Sequence, residues 1–378
     1  MTRIALLLLL LAIAPALPAA AAPYETTARQ AILIDEATGA VLFAKEPDQL
    51  MEPSSMSKIM TVYLAFERLK DGSLKMEDEV TVSERAWKMG GSRMFLDVNS
   101  RVTIEDLLRG IIVQSGNDAA VALAEAISGS EEAFARLMTE RAHELGMKNT
   151  TFLNASGWPH EGHLTTARDL AILAEHTIHD FPEYYPLYAE REFTYNGIKQ
   201  GNRNPLLYRD MGVDGLKTGH AEAAGFGLTA SAVRDGRRLI LVVNGLPDMQ
   251  ARADETGRLF DWGFRETGNY ALFQAGQPVL EADVWLGEAE RVALEVQDPL
   301  IVTLAREARP DMVVKAIYDG PIPAPIAKGQ PVGRIVVTAP GMEPVERVLV
   351  AGADVGQLST LNRLIAAIGY LVWGGQGG

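Results

Sequence analysis

Apolar positions near the start of the chain fall in two short runs either side of a turn, and then take up helical spacing. Ala31-Ile32-Leu33-Ile34-Asp35 reads as a strand, Ala37-Thr38-Gly39 as a turn, and Val41-Leu42-Phe43-Ala44-Lys45 as the returning strand of a hairpin. Pro53 suits a helix entry. Ile59, Met60, Tyr63, Leu64 and Phe66 then follow at helical spacing until Asp71-Gly72. That helix is apolar on most faces, which predicts a buried one. From Leu74 to about Leu170 the pattern is mainly helical. Helices are predicted over Ile104–Val113 and Asp118–Ser128, with Gln114-Ser115-Gly116-Asn117 as a tight loop between them. Phe152–Trp158 opens an irregular loop, and helix resumes at Thr166. Val213–His220 precedes two further strands, Gly227–Val233 and Arg238–Asn244, joined at Arg234-Asp235-Gly236. The two ends of this region therefore build one sheet around an inserted helical block, an α/β arrangement with antiparallel strands.

From about Tyr270 to about Val350 short apolar runs recur between Gly and Pro residues, including Ala293–Val296, Met312–Ala316 and Gly333–Val337. This predicts a small all-β, sandwich-like domain. Gln357 to Trp373 reads as an amphipathic helix with Leu358, Leu361, Leu364, Ile365 and Ile368 on one face. Its unbroken apolar run, Leu364–Trp373, is too short to span a bilayer but suits an interfacial helix, with docking on its own protein as the alternative. At the other end, Arg3, an apolar core from Ile4 to Ile13 and alanines up to Ala22 have the anatomy of a cleaved secretory leader. The expected organisation is a leader over 1–22, a catalytic domain over 23–267, a β-rich domain over 268–355 and a membrane-associated tail over 356–378.

The net charge of −14 argues against a nucleic-acid partner, because phosphates select basic faces. Cysteine is absent, which excludes disulfides, thiol nucleophiles and cysteine-ligated zinc. His160-x-x-His163 and His176-x-x-His179 are the remaining metal candidates. Neither is His-Glu-x-x-His, and they read better as surface or core histidines. No metal and no cofactor are expected.

The chemistry centres on Ser55-Met56-Ser57-Lys58. On a helix Ser55 and Lys58 share a face, pairing a hydroxyl nucleophile with an amine base. Roughly one Ser-x-x-Lys is expected by chance in a chain of this length, so the pattern needs partners. Ser115-Gly116-Asn117 and Lys217-Thr218-Gly219 supply them, although capping alone accounts for Ser115 and Asn117 when they are taken singly. Lys58 acts as a base only when neutral, which requires burial and a nearby cation. Lys217 is the expected cation. Arg203 and Arg252 are candidates for binding a carboxylate or for structural ion pairs.

In this order the three motifs resemble the penicillin-recognising serine enzymes, and within them the low-molecular-mass penicillin-binding proteins that are D-alanyl-D-alanine carboxypeptidases. Gln114–Asp118, Asn202-Arg203-Asn204 and Asp214–His220 share the likeness, as do the leader, the β-rich domain and the tail. The resemblance implies a β-lactamase/transpeptidase-like fold and an acyl-enzyme on Ser55. It further implies that Ser115 and Asn117 hold the substrate and relay a proton, and that Lys217, Thr218 and Gly219 border its carboxylate. The oxyanion hole would be the backbone N–H of Ser55 and one from the strand after Lys217. His220 resembles the family's active-site histidine. Peptidoglycan stem peptides, β-lactam antibiotics and the outer face of the cytoplasmic membrane are the implied partners, in the periplasm. Gly116 and Glu161-Gly162-His163-Leu164-Thr165 depart from the class A β-lactamase pattern, so efficient antibiotic hydrolysis is not expected. Two rivals stay open: an endopeptidase acting on crosslinked muropeptides, and a non-catalytic wall scaffold of the same fold.

Overall fold

The computed structural model describes residues 24–362; the expected leader, 1–22, and most of the expected tail, 363–378, lie outside the described residues. The hairpin forms as the two apolar runs around Ala37-Thr38-Gly39 predict, with β1 (Gln30–Asp35) antiparallel to β2 (Val41–Lys45). A 3-10 turn, Ser54–Ser57, runs directly into α1 (Lys58–Lys70). The inserted block comprises β3 (Glu79–Thr81), α2 (Glu84–Lys88), β4 (Arg101–Thr103), α3 (Ile104–Ile112), α4 (Asn117–Ser128), α5 (Glu131–Glu144) and α6 (Ala167–Asp180). Ser83, Thr103, Ser130 and Thr166 start helices by accepting the N–H three residues on. The short β3–β4 pair is absent from the sequence reading, because three-residue strands carry no readable alternation.

After a small hairpin, β5 (Glu192–Tyr195) and β6 (Ile198–Gly201), the chain returns to the main sheet as β7 (Val213–Ala221), β8 (Gly225–Arg234) and β9 (Arg237–Leu246). The sheet order is β2-β1-β9-β8-β7, antiparallel throughout, with β7 at an edge. Both faces are covered. Ile32, Ile34, Ile240 and Val242 join the core of the helical block, whereas Ala31, Leu33, Leu239, Leu241 and Val243 pack with Leu259 and Phe260. The latter two belong to α7 (Met249–Glu266), to which the sequence reading assigns no element. Gly257 and Gly263 disguise this helix. Gly263 is there for contact, since a Cβ on it would lie 2.6 Å from the Leu33 side chain.

The second domain contains β10 (Thr267–Phe273), β11 (Pro278–Trp285), β12 (Arg291–Val296), β13 (Leu300–Ala305), β14 (Val313–Tyr318), β15 (Ile322–Pro323), β16 (Pro331–Thr338) and β17 (Val345–Ala351). A six-stranded sheet, β14-β16-β17-β12-β11-β15, and the β10–β13 pair enclose a core of Leu294, Val302, Ile335 and Leu349, which is the expected sandwich-like arrangement. Asp35, fully buried, joins the domains: it accepts from Arg237 at 2.7 Å and from Asn269 at 3.0 Å. The expected tail helix does not begin at Gln357. That residue bridges to Gly287, and the Leu358 N–H bonds the Leu286 carbonyl, so the β domain claims this backbone before a helical turn opens at Thr360. Among the described residues no helix is long and apolar enough to cross a membrane.

Candidate active site

The Ser54–Ser57 turn is wedged between β7, β8 and the loop that follows Phe152. Glycines make the approach close enough. A Cβ on Gly219 would lie 2.8 Å from the Pro53 carbonyl, and one on Gly157 would lie 1.8 Å from that of Ser54. The glycine of Lys217-Thr218-Gly219 thus serves packing. Ser54 takes a left-handed conformation with φ +49. Such strain at a non-glycine residue persists only where neighbours impose it.

Lys58 is fully buried at the first position of α1. Its Nζ lies 3.0 Å from Ser55 Oγ, 2.7 Å from Asn117 Oδ1 and 2.5 Å from the Ser156 carbonyl. Asn117 Oδ1 and Ser156 O can only accept. In the neutral amine two hydrogens point at these acceptors, and the lone pair remains for the Ser55 hydroxyl. Burial lowers the Lys58 pKa to about 7, helped by the charge of Arg203 and opposed by Asp118 and Glu131. Arg203 joins the expected Lys217 as a cation acting on Lys58, and Lys217 is itself pushed well below an ordinary lysine by burial and then by Lys58, Arg203 and Arg252. Two buried amines without a carboxylate between them cannot both stay charged.

Ser115 is 2% exposed and left-handed at φ +60, and its hydroxyl has no hydrogen-bond partner among the described residues. Capping does not explain it, because Gly116 occupies the cap of α4 and no side chain caps that helix. Asn117 is also not a cap. Besides accepting from Lys58, it donates from Nδ2 to the Gly90 carbonyl at 2.8 Å. Its amide therefore orients the base, a use the resemblance did not imply.

Asn202 and Asn204 brace the strand that carries the third motif: Asn204 Nδ2 donates to the Gly215 carbonyl at 2.8 Å, and Asn202 Oδ1 accepts from Asn204 N. Arg203 between them donates to Ser92 Oγ at 2.6 Å. Arg252 comes from the first turn of α7, is 6% exposed, and lies over the Phe226 ring at 5.7 Å with its Nε unpartnered. Burial and Arg203 lower its pKa to about 10. Neither arginine has a carboxylate partner among the described residues, so the ion-pair alternative falls. His220 is exposed on the rim and stacks on Phe226 with centroids 4.0 Å apart. Among the described residues Lys217 Nζ reaches only its neighbour's carbonyl, at 3.5 Å, and Thr218 is buried beside it. A net-negative chain thus gathers Lys58, Lys217, Arg203 and Arg252 around one strand edge, an arrangement that attracts an anion.

Sequence reasoning missed four contributors. Ser156 acts through its carbonyl, which no side-chain motif reveals. Asp118 fixes the loop facing α4 by accepting from the N–H groups of Met94, Phe95 and Leu96 at 3.0 to 3.2 Å. Glu131 accepts from Ala155 N at 3.1 Å and so holds the loop bearing Ser156. His163 is buried against the nucleophile turn and does not serve as a surface ligand. His176 and His179 instead pair with Asp180 and Glu36.

This geometry agrees with what the chain is similar to. A family model described as D-alanyl-D-alanine carboxypeptidase matches residues 17–247, and one described as the C-terminal domain of penicillin-binding protein 5 matches residues 269–357. D-alanyl-D-alanine carboxypeptidase DacA of Haemophilus influenzae is 39% identical over 350 residues, covering 90% of this chain and 88% of that one. The crystal structure of penicillin-binding protein 5 from Haemophilus influenzae matches with a TM-score of 0.81 at 39% identity, over 89% of this chain and 100% of that one. Penicillin-binding protein D2 from Listeria monocytogenes, in an ampicillin-bound form, matches with a TM-score of 0.59 at 28% identity, over 64% of this chain and 99% of that one. With its catalytic-domain fold, its second β-rich domain and its ordered motifs all in place, the chain belongs to the D-alanyl-D-alanine carboxypeptidase family.

Proposed function

We propose that this serine-type carboxypeptidase removes the terminal D-alanine of peptidoglycan stem peptides through an ester on Ser55. The observation that carries the assignment is the Lys58 amine 3.0 Å from Ser55 Oγ, with its other hydrogens committed elsewhere. Ser55 Oγ attacks the penultimate D-alanyl carbonyl carbon, and its proton passes to Lys58 Nζ. The backbone N–H of Ser55 and one from the free edge of β7 receive the oxyanion. The unpartnered Ser115 hydroxyl relays the proton from Lys58 to the leaving nitrogen, and the C–N bond breaks. Arg252, Arg203, Lys217 and Thr218 hold the departing carboxylate. Water then attacks the ester, with Lys58 as base, and frees Ser55. Because β-lactams present a similar acyl group and carboxylate, they acylate the same serine, in keeping with the ampicillin-bound Listeria relative.

The leader directs the chain to the periplasm. The tail, whose apolar run carries no charge after Arg363, holds it to the membrane surface by apolar burial. Mass spectrometry of the penicillin adduct tests the site: the mass increase is expected on Ser55, and Ser55→Ala is expected to take no label. A label elsewhere, or turnover by Ser55→Ala, overturns the assignment. Comparing monomeric with crosslinked muropeptides separates the carboxypeptidase from an endopeptidase.

The lowered Lys58 pKa has a visible consequence. Below about pH 7 the amine is protonated and cannot accept the serine proton. Acylation by a fluorescent penicillin is therefore expected to fall about tenfold per pH unit below that point and to level off above it. A limb near the ordinary lysine value of ~10.4 contradicts the base assignment.

A further inference from the structure

His163 contributes nothing to the chemistry above, yet it is 2% exposed and makes two directed hydrogen bonds. Its Nδ1 lies 3.1 Å from the backbone nitrogen of Leu153, whose N–H can only donate. Nδ1 is therefore the bare nitrogen of the ring, and the ring proton sits on Nε2. Nε2 lies 2.8 Å from Ser57 Oγ, and Ser57 Oγ donates in turn to the Ser54 carbonyl at 2.8 Å. The donors run in one direction, from imidazole to hydroxyl to carbonyl.

That carbonyl shares a peptide plane with the N–H of Ser55. In a planar trans peptide the two point in opposite directions, so fixing the Ser54 oxygen inward turns the Ser55 N–H outward. Ser54 needs such restraint because it is left-handed without being glycine. Gly157 packs directly against the same oxygen, with no room for a Cβ.

We infer that His163 is a positioning residue: through Ser57 it sets the Ser54–Ser55 peptide plane, and thereby aims the oxyanion donor that both acylation and deacylation require. This rests on the proposed acyl-enzyme at Ser55. Burial supports a neutral ring, lowering the His163 pKa to about 4 with help from the charges of His160 and Lys58. The imidazole also ties the turn to the loop that brings the Ser156 carbonyl to Lys58, since Leu153 and Ser156 lie on one short segment.

The test is stopped-flow acylation by a fluorescent penicillin, separating the noncovalent Kd from the acylation rate constant, with deacylation followed afterwards. Removing an oxyanion donor outright costs ~10²–10³-fold, so misaiming one is expected to slow both chemical steps ~10–100-fold. Ser57→Ala and His163→Leu are expected to show this loss with Kd within about twofold, because the binding arginines are untouched. The double variant is expected to be no slower than the worse single one, since both cut the same chain. His163→Gln, whose amide oxygen can accept from Leu153 and whose amide nitrogen can donate to Ser57, is expected to recover most of the rate. Ser57→Ala changes one buried atom and carries the test if His163→Leu does not fold. Acylation of Ser57→Ala at the wild-type rate overturns the inference and leaves the acyl-enzyme intact, as does a loss confined to Kd. Failure of the wild type to label at Ser55 overturns both.

Discussion

Lys58→Met is expected to lower the acylation rate by ~10³-fold or more while the protein stays folded. A positioned base is worth ~10²–10⁴-fold, and no other group hydrogen-bonds Ser55 Oγ among the described residues. The fold survives because two terms of similar size oppose each other. Holding the amine near 7 instead of 10.5 represents about 5 kcal/mol that the native state forgoes, an amount fully present below pH 7 and gone above 10.5, where neither state binds the proton. Methionine removes that term. It also leaves Asn117 Oδ1 and the Ser156 carbonyl without their donor, at about 1–3 kcal/mol each. Lys58→Arg distinguishes a base from a mere positive charge, because a guanidinium does not deprotonate in this pH range. It is expected to be as slow as Lys58→Met. Acylation of Lys58→Arg near the wild-type rate, measured over pH 6 to 9, sinks the assignment of Lys58 as base.

What could be read beforehand follows from how local each signal is. Ser55 and Lys58 declare themselves because helical spacing fixes their separation, and β1 and β9 because their apolar residues run unbroken through a sheet covered on both faces. α7 hides because its buried face includes Arg252, Glu255, Thr256 and two glycines, a composition that reads as loop. That Arg203 also acts on Lys58 could not be read from the chain, since it lies far from the serine motif in sequence and only folding brings it near. Ser156 and Ser54 act through carbonyls, for which any residue type serves. His163 was legible only as a histidine. Its meaning lies in a tautomer fixed by the backbone N–H of Leu153, ten positions away on a loop without periodicity.

Arg252→Met is expected to make the protein a poorer enzyme and a more stable one. A buried guanidinium with an unpartnered Nε and, among the described residues, no carboxylate partner is destabilising until a ligand neutralises it. The fall of its pKa to about 10 corresponds to about 3 kcal/mol at neutral pH. Contact with the Phe226 ring returns about 0.5–1 kcal/mol of this, leaving about 2 kcal/mol to be gained on replacement. At ~2–4 °C per kcal/mol for a domain of this size, Tm is expected to rise by several degrees. The loss falls on the substrate side. A charge-assisted hydrogen bond to the terminal carboxylate is worth about 1.5–3 kcal/mol, so kcat/KM on a D-alanyl-D-alanine peptide is expected to drop ~10–100-fold. A peptide ending in a carboxamide never makes that contact, and its slower turnover is expected to change little. The preference for acid over amide therefore shrinks by the same factor. The opposite pattern, a fall in Tm with the preference for the free acid retained, means that Arg252 holds α7 to the sheet and that the carboxylate lies against Arg203 and Lys217 alone.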